Sequence, residues 1–221
     1  MNRPEINSMT RARPIILVTA FEPFGASPVN PTMAILRALR EMPCAFGSRA
    51  YVTLPVVTGV DAGSAWAAIA ALLDEIAPDA VVALGESAIA DRLCFERIAV
   101  NLRDARIADN AGVQLIDATV IDDAPAAYFA TLPLREMLAA SETVGVPAQF
   151  SLSAGAFLCN ELMFRLLDRD EPRVSGFIHV PQLPEQASHR GGPSMDAVRC
   201  TRGVHAAIEI LAARLATGVL A

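Results

Sequence analysis

QFSLSAGAFLCNELMFRLLDRD, residues 149–170, contains the change of period that decides how this chain folds. Phe150-Ser151-Leu152-Ser153 reads as a short strand that breaks at Ala154-Gly155. Phe157, Leu158, Leu162, Met163, Leu166 and Leu167 then recur at helical spacing, so a strand–turn–helix junction is expected. Cys159 falls in or near the first turn of that helix. Unpaired N–H groups and the positive end of the helix dipole gather there, and both favour thiolate over thiol. The everyday use of a cysteine is as a small buried apolar residue. What sets Cys159 apart is the next apolar segment, Ser175-Gly176-Phe177-Ile178-His179-Val180-Pro181, a buried strand with a histidine near its C-terminal end.

Working outward, the same alternation runs through the chain. Ile15-Ile16-Leu17-Val18-Thr19 is a β-branched strand, followed by a loop, Phe21-Glu22-Pro23-Phe24-Gly25-Ala26-Ser27-Pro28. Asn30 and Pro31 suit the cap and first position of a helix over residues 33–42. Residues 51–57 read as a strand, 61–76 as a helix, and 80–84 as a strand ending at Gly85. Residues 125–141 read as largely helical, with Pro125 at a first helical position and Pro133 at a kink or break. Ser194 is suited to cap a last helix reaching about Leu215. Strands alternating with helices predict an α/β fold: one domain with a mostly parallel twisted sheet sandwiched by helices in α/β/α layers.

The chain has 221 residues, 53% of them apolar and 19% charged, enough for one large core. Residues 1–13 lack the apolar centre of a signal peptide and read as a flexible tail, leaving 14–221 as the domain. The strongest apolar run, residues 65–73, is too short to span a bilayer, so no membrane role is expected. The net charge of −6 comes without a basic stripe and argues against nucleic acid as a partner. Cys44, Cys94, Cys159 and Cys200 are widely spaced and form no CxxC pair. Free thiols in a reducing cytoplasm fit that spacing better than a disulfide or a zinc framework, so no metal site is expected from them.

In an open parallel sheet, functional groups collect beyond the carboxyl ends of the strands. Cys159 follows one strand and His179 ends the next, so neighbouring strands would bring them to one rim. A thiol within reach of an imidazole is the minimum for nucleophilic acyl transfer. His189, in a polar glycine-rich loop, and His205, in a helical pattern, compete for the same role. A third group to orient the imidazole is offered by FERIAVNLRDARIADN, residues 95–110. If this is one strand, Glu96, Ile98 and Val100 share a face, and a carboxylate there needs a partner if buried. A solvated edge, or pairing with Arg97, Arg103 or Arg106, explains Glu96 equally well.

Four blocks together resemble the pyroglutamyl peptidase I (pyrrolidone carboxyl peptidase) family of cysteine exopeptidases. They are LVTAFEPFGASPVNPT (17–32), ERIAVNLRDARIADNAG (96–112), SAGAFLCNELMF (153–164) and SGFIHVPQLPEQ (175–186), in the family's order and at roughly its spacing. The resemblance implies a Cys159–His179–Glu96 triad and no cofactor. It implies a small peptide with a blocked, pyroglutamyl N-terminus as substrate, and a homo-oligomer, dimer or tetramer. Phe21 and Phe24 match aromatics that sandwich the flat lactam ring, although packing alone also accounts for two phenylalanines. Arg106 matches an arginine near the site, where it would support the oxyanion or the glutamate network.

The chain also departs from the family. GESAIADRLCFE (85–96) carries Glu86 where many members have Gln near the substrate pocket, and Ile89-Ala90 replaces a Gly-Arg pair. Ala20 and Ala26 replace glycines of the first block, reducing backbone freedom beside Phe21 and Phe24. These changes motivate a second reading, a thiol hydrolase of the same fold with altered acyl specificity. A third is a non-catalytic binding protein on the same scaffold, against which the complete triad argues.

Overall fold

The computed structural model describes residues 13–172 and 174–218. In a six-stranded sheet, β1 (Ile15–Phe21) is flanked by β2 (Ser48–Leu54) and β3 (Ala80–Ser87), and β3 by β8 (Val174–Pro181), all parallel. Beyond β8 the direction reverses: β4 (Leu93–Glu96) pairs antiparallel with β8 and parallel with β7 (Ala148–Ser151). The order across the sheet is β2-β1-β3-β8-β4-β7. A separate two-stranded sheet pairs β5 (Ile98–Val100) with β6 (Ala127–Phe129), antiparallel. The expected α/β sandwich is present, with a mixed edge.

Strand parity sorts the core into two layers. Ile16, Val18, Val82, Leu84, Ile178 and Val180 face α1 (Pro31–Glu41), α3 (Leu134–Thr143) and α6 (Ala197–Ala216). Leu17, Phe21, Val81, Ala83 and Phe177 face α2 (Ala65–Ile76) and α4 (Leu158–Asp168) on the other side. Among the described residues no helix is long and apolar enough to cross a membrane.

Several expected boundaries are corrected. Residues 125–141 are not one helix: β6 comes first, and α3 begins only after Pro133, its N-cap. Proline pushes the residue before it out of the helical region, which separates the two elements. Residues 95–100 are not one strand either. β4 ends at Glu96, and β5 leaves to pair with β6 in the small sheet. The helix expected from residue 61 starts at Ala65, where the Ser64 side chain accepts from Ala67 N–H at 3.1 Å. Asp196, not Ser194, caps α6 by accepting from Arg199 N–H at 2.8 Å. The loop expected around His189 contains a short helix, α5 (Pro184–Arg190). Arg13, expected in the tail, donates to the carbonyls of Cys44 and Ala45 at 2.9 and 2.8 Å. The rest of that expected tail, residues 1–12, lies outside the described residues.

Candidate active site

Cys159 and His179 do meet at one rim, but not because their strands are neighbours. β4 lies between β7 and β8, and β7 runs antiparallel to β8. The connection over residues 152–157 instead carries the chain across to start α4 over the C-terminal ends of β3 and β8. Gly85 of β3 pairs with His179 of β8 and makes room for the sulfur. A Cβ built at Gly85 would sit 2.9 Å from Cys159 Sγ and 2.6 Å from the Phe177 ring, closer than real atoms approach.

Two side chains beside the cysteine hold the first turn of α4 in place, and neither is among the residues the sequence points to. Asn160, fully buried, donates to the carbonyls of Val100 and Leu102 at 2.8 and 3.0 Å and accepts from Val100 N–H at 2.9 Å. It thus acts as a strand partner for β5. Glu161 accepts from Thr58 Oγ1 and from Gly59 N–H at 3.1 Å, and pairs with Arg165 at 3.1 Å and Arg103 at 3.6 Å. The readable signal is two polar residues inside an otherwise apolar helical stripe. No side chain caps α4, and among the described residues the N–H groups of Leu158, Cys159 and Asn160 find no acceptor.

Glu96 reaches His179 from β4. Its Oε1 lies 2.8 Å from His179 Nδ1, and both residues are buried, at 1% and 7% exposure. The other carboxylate oxygen has no partner among the described residues, so His179 is the group Glu96 serves. With Nδ1 engaged, Nε2 is the nitrogen left for Cys159. Burial opposes charge on the ring, but Cys159 and Glu96 outweigh it and raise His179 to about 10. Burial pushes the other thiols up, Cys44 and Cys94 above the ordinary value and Cys200 to about 12, which disfavours their thiolates. The competing histidines stay apart from this cluster. His189 is exposed in the last turn of α5, and His205 of α6 contacts the Pro43 carbonyl at 2.9 Å.

An apolar cavity opens beside the sulfur, lined by Phe21, Phe24, Val56, Phe157, Glu86 and Cys159. Phe24 and Phe157 have ring centroids 6.5 Å apart, tilted by 49°. In the sequence Phe157 stands out only as part of the helical stripe, which hides its place in the cavity wall. Asn30, Pro31 and Thr32 fix the mouth: Asn30 accepts from Thr32 N–H at 3.1 Å and Oγ1 at 2.7 Å, and Thr32 Oγ1 accepts from Phe21 N–H at 3.2 Å. Arg106 is exposed and makes no hydrogen bond or ion pair among the described residues, so the expected contact with the glutamate is not made here. Its loop borders the Phe24 segment, where Asn110 donates to the Pro23 carbonyl at 3.0 Å. Among the described residues no cluster of three His, Cys, Asp or Glu side chains is placed to hold a metal ion.

The pyroglutamyl peptidase family profile matches residues 15–214. Pyrrolidone-carboxylate peptidases of Cupriavidus taiwanensis and Chromobacterium violaceum are 39% and 41% identical to this chain, each match covering 88% of it and 91% of the relative. A mutant pyrrolidone carboxyl peptidase of Pyrococcus furiosus superposes with a TM-score of 0.84 at 36% identity, over 91% of this chain and 99% of that one. Pyroglutamyl peptidase I of Bacillus amyloliquefaciens gives 0.82 at 31%, over 90% and 97%. With the whole described sheet and all but the last two residues of α6 inside the matched span, the chain belongs to the pyroglutamyl peptidase family of cysteine peptidases.

Proposed function

We propose that this chain hydrolyses the amide bond that follows an N-terminal pyroglutamyl residue, with Cys159 as nucleophile, His179 as general acid–base and Glu96 as the group that orients His179. The observation that carries the reading is the Glu96–His179 contact at 2.8 Å, with the Cys159 sulfur beside an apolar cavity on the far side of the ring. The aromatic walls suit a flat, uncharged lactam, and the cavity takes the acyl group of a small blocked peptide.

In the first half-reaction the Cys159 sulfur attacks the pyroglutamyl carbonyl carbon, forming a C–S bond and a tetrahedral oxyanion. The unpaired N–H groups in the first turn of α4 are suited to receive that oxygen. His179 gives its proton to the leaving nitrogen as the C–N bond breaks, and the amine departs from a thioester. In the second half-reaction His179 takes a proton from water, the hydroxide oxygen bonds to the carbonyl carbon, and the C–S bond breaks to release pyroglutamate. The Arg106 guanidinium, without a partner among the described residues, is available to the substrate's peptide carbonyls.

Hydrolysis of a fluorogenic pyroglutamyl amide by the wild type and by Cys159→Ala tests this. Turnover by the first and none by the second is the expected result, and full activity in Cys159→Ala would overturn it. The second reading, altered acyl specificity, rests on the Glu86 carboxylate in the cavity wall. It gains if Cys159 alkylates readily while the pyroglutamyl amide is left intact.

A further inference from the structure

Glu86 brings a carboxylate to the cavity with 1% of its side chain exposed, where each oxygen needs a partner. Both partners come from α5. The Arg190 guanidinium pairs with Oε1, and the Gln186 amide donates to Oε2 at 2.9 Å. Arg190 is itself held, its Nε donating to Gln182 Oε1 at 2.5 Å. Gln182 Nε2 in turn donates to the carbonyls of Gly191 and Pro193 at 2.7 and 3.0 Å. Gln186 extends the network in the other direction, donating to Ser27 Oγ at 2.8 Å and the Val29 carbonyl at 3.2 Å in the loop that follows Phe24. One ion pair, its carboxylate buried and its guanidinium partly exposed, therefore ties β3, α5 and the Phe24 loop together at the cavity wall.

We propose that Arg190 is a specificity-determining positioning residue: by pairing with Glu86 it cancels the negative charge at the cavity, so that an uncharged acyl ring is taken beside Cys159. The inference rests on the functional reading above. With Arg190 lost, Glu86 keeps only the Gln186 amide, and the cavity turns against neutral and anionic acyl groups. Removing both charges restores a neutral wall.

The test compares wild type, Arg190→Gln, Arg190→Lys and the double variant Glu86→Gln/Arg190→Gln. The first readout is the alkylation rate of Cys159 by anionic iodoacetate relative to neutral iodoacetamide, followed by mass spectrometry. That ratio should fall about tenfold in Arg190→Gln, hold within about threefold in Arg190→Lys, and return in the double variant. The second readout is hydrolysis of a pyroglutamyl amide, for which KM should rise about tenfold in Arg190→Gln, with a smaller change in kcat, and fall back in the double variant. An unmoved iodoacetate ratio, or a fall that Glu86→Gln does not relieve, overturns the proposal. A ratio that moves as stated in a wild-type background that hydrolyses no pyroglutamyl amide supports the role of Arg190 and overturns the functional reading instead. Should Arg190→Gln fail to fold, Glu86→Gln with Arg190 kept supplies the converse: its uncompensated cation should raise the ratio, and no rise overturns the proposal.

Discussion

Glu96 and His179 stand diagonally across the antiparallel β4–β8 pairing, and their side chains meet at 2.8 Å. Cys94 is directly opposite His179, and Glu96 is two residues further along, opposite Phe177. Diagonal neighbours on one face of a sheet lie within reach of long side chains. A glutamate can therefore close the gap that a shorter side chain would leave open. The ring is held from the other direction by Phe177, whose centroid is 4.8 Å from that of the imidazole. Replacing the carboxylate thus removes both charge and orientation from the histidine.

Glu96→Gln keeps the shape of the side chain and loses its charge. It is expected to lower kcat by about 10²–10⁴-fold, the range general acid–base catalysis contributes. Steady-state kinetics on a pyroglutamyl amide, with circular dichroism to establish folding, is the check. A variant within about threefold of wild type, far short of that range, would show that Glu96 is structural only.

The charge on His179 gives a prediction in pH. Cys159 and Glu96 raise the group to about 10 against the pull of burial, so the imidazolium persists through neutral pH and is lost as pH rises through about 10. Deleting either partner removes a raising influence, so the proton must leave at lower pH in Cys159→Ala and in Glu96→Gln. Proton NMR of the imidazole Cε1–H follows this directly. A wild-type His179 that titrates near the ordinary value of 6.5 would be incompatible with the coupled pair.

Gly85→Ala should be damaging although it changes no polar side chain. The added Cβ would meet the Phe177 ring at 2.6 Å and Cys159 Sγ at 2.9 Å. Overpacking of this kind costs about 1–3 kcal/mol, and here it also pushes Cys159 off the sheet. Thermal melting and kcat should both fall, and loss of one without the other would mean that the neighbours yield more easily than their packing implies.

Much of this arrangement is legible in the sequence, and the parts that are not have physical reasons. The strand–turn–helix junction at Cys159 and the buried strand at His179 rest on local periodicity, which a chain displays openly. The route by which they meet does not. β7 is separated from β8 by β4 and runs against it, and nothing local to residues 148–151 records which strand they will pair with. Strand parity puts Glu96 on the right face for an incomplete reason, since its presumed strand splits at Arg97 into two sheets. Arg190 reads as one more polar residue in a glycine-rich loop, because its partner Glu86 lies 104 positions away. Pairings over such separations are set by the assembled fold.

Asn160→Ala tests whether the anchor beside Cys159 matters as much as the partners of Cys159 itself. The side chain supplies two donor bonds and one acceptor bond to the backbone of β5 and the residues after it, all from within α4's first turn. Truncation leaves the Val100 and Leu102 carbonyls and the Val100 N–H without their partner, at a cost of about 1–3 kcal/mol for unsatisfied buried groups. The melting temperature should drop, and kcat should fall further than KM rises, because the first turn of α4 carries both the sulfur and the unpaired N–H groups. Asn160→Asp keeps the acceptor but replaces the donors with a carboxylate facing two carbonyls, so it should be no better than alanine. If it instead matched wild type in both stability and kcat, the two donor bonds to Val100 and Leu102 would not be what fixes the cysteine.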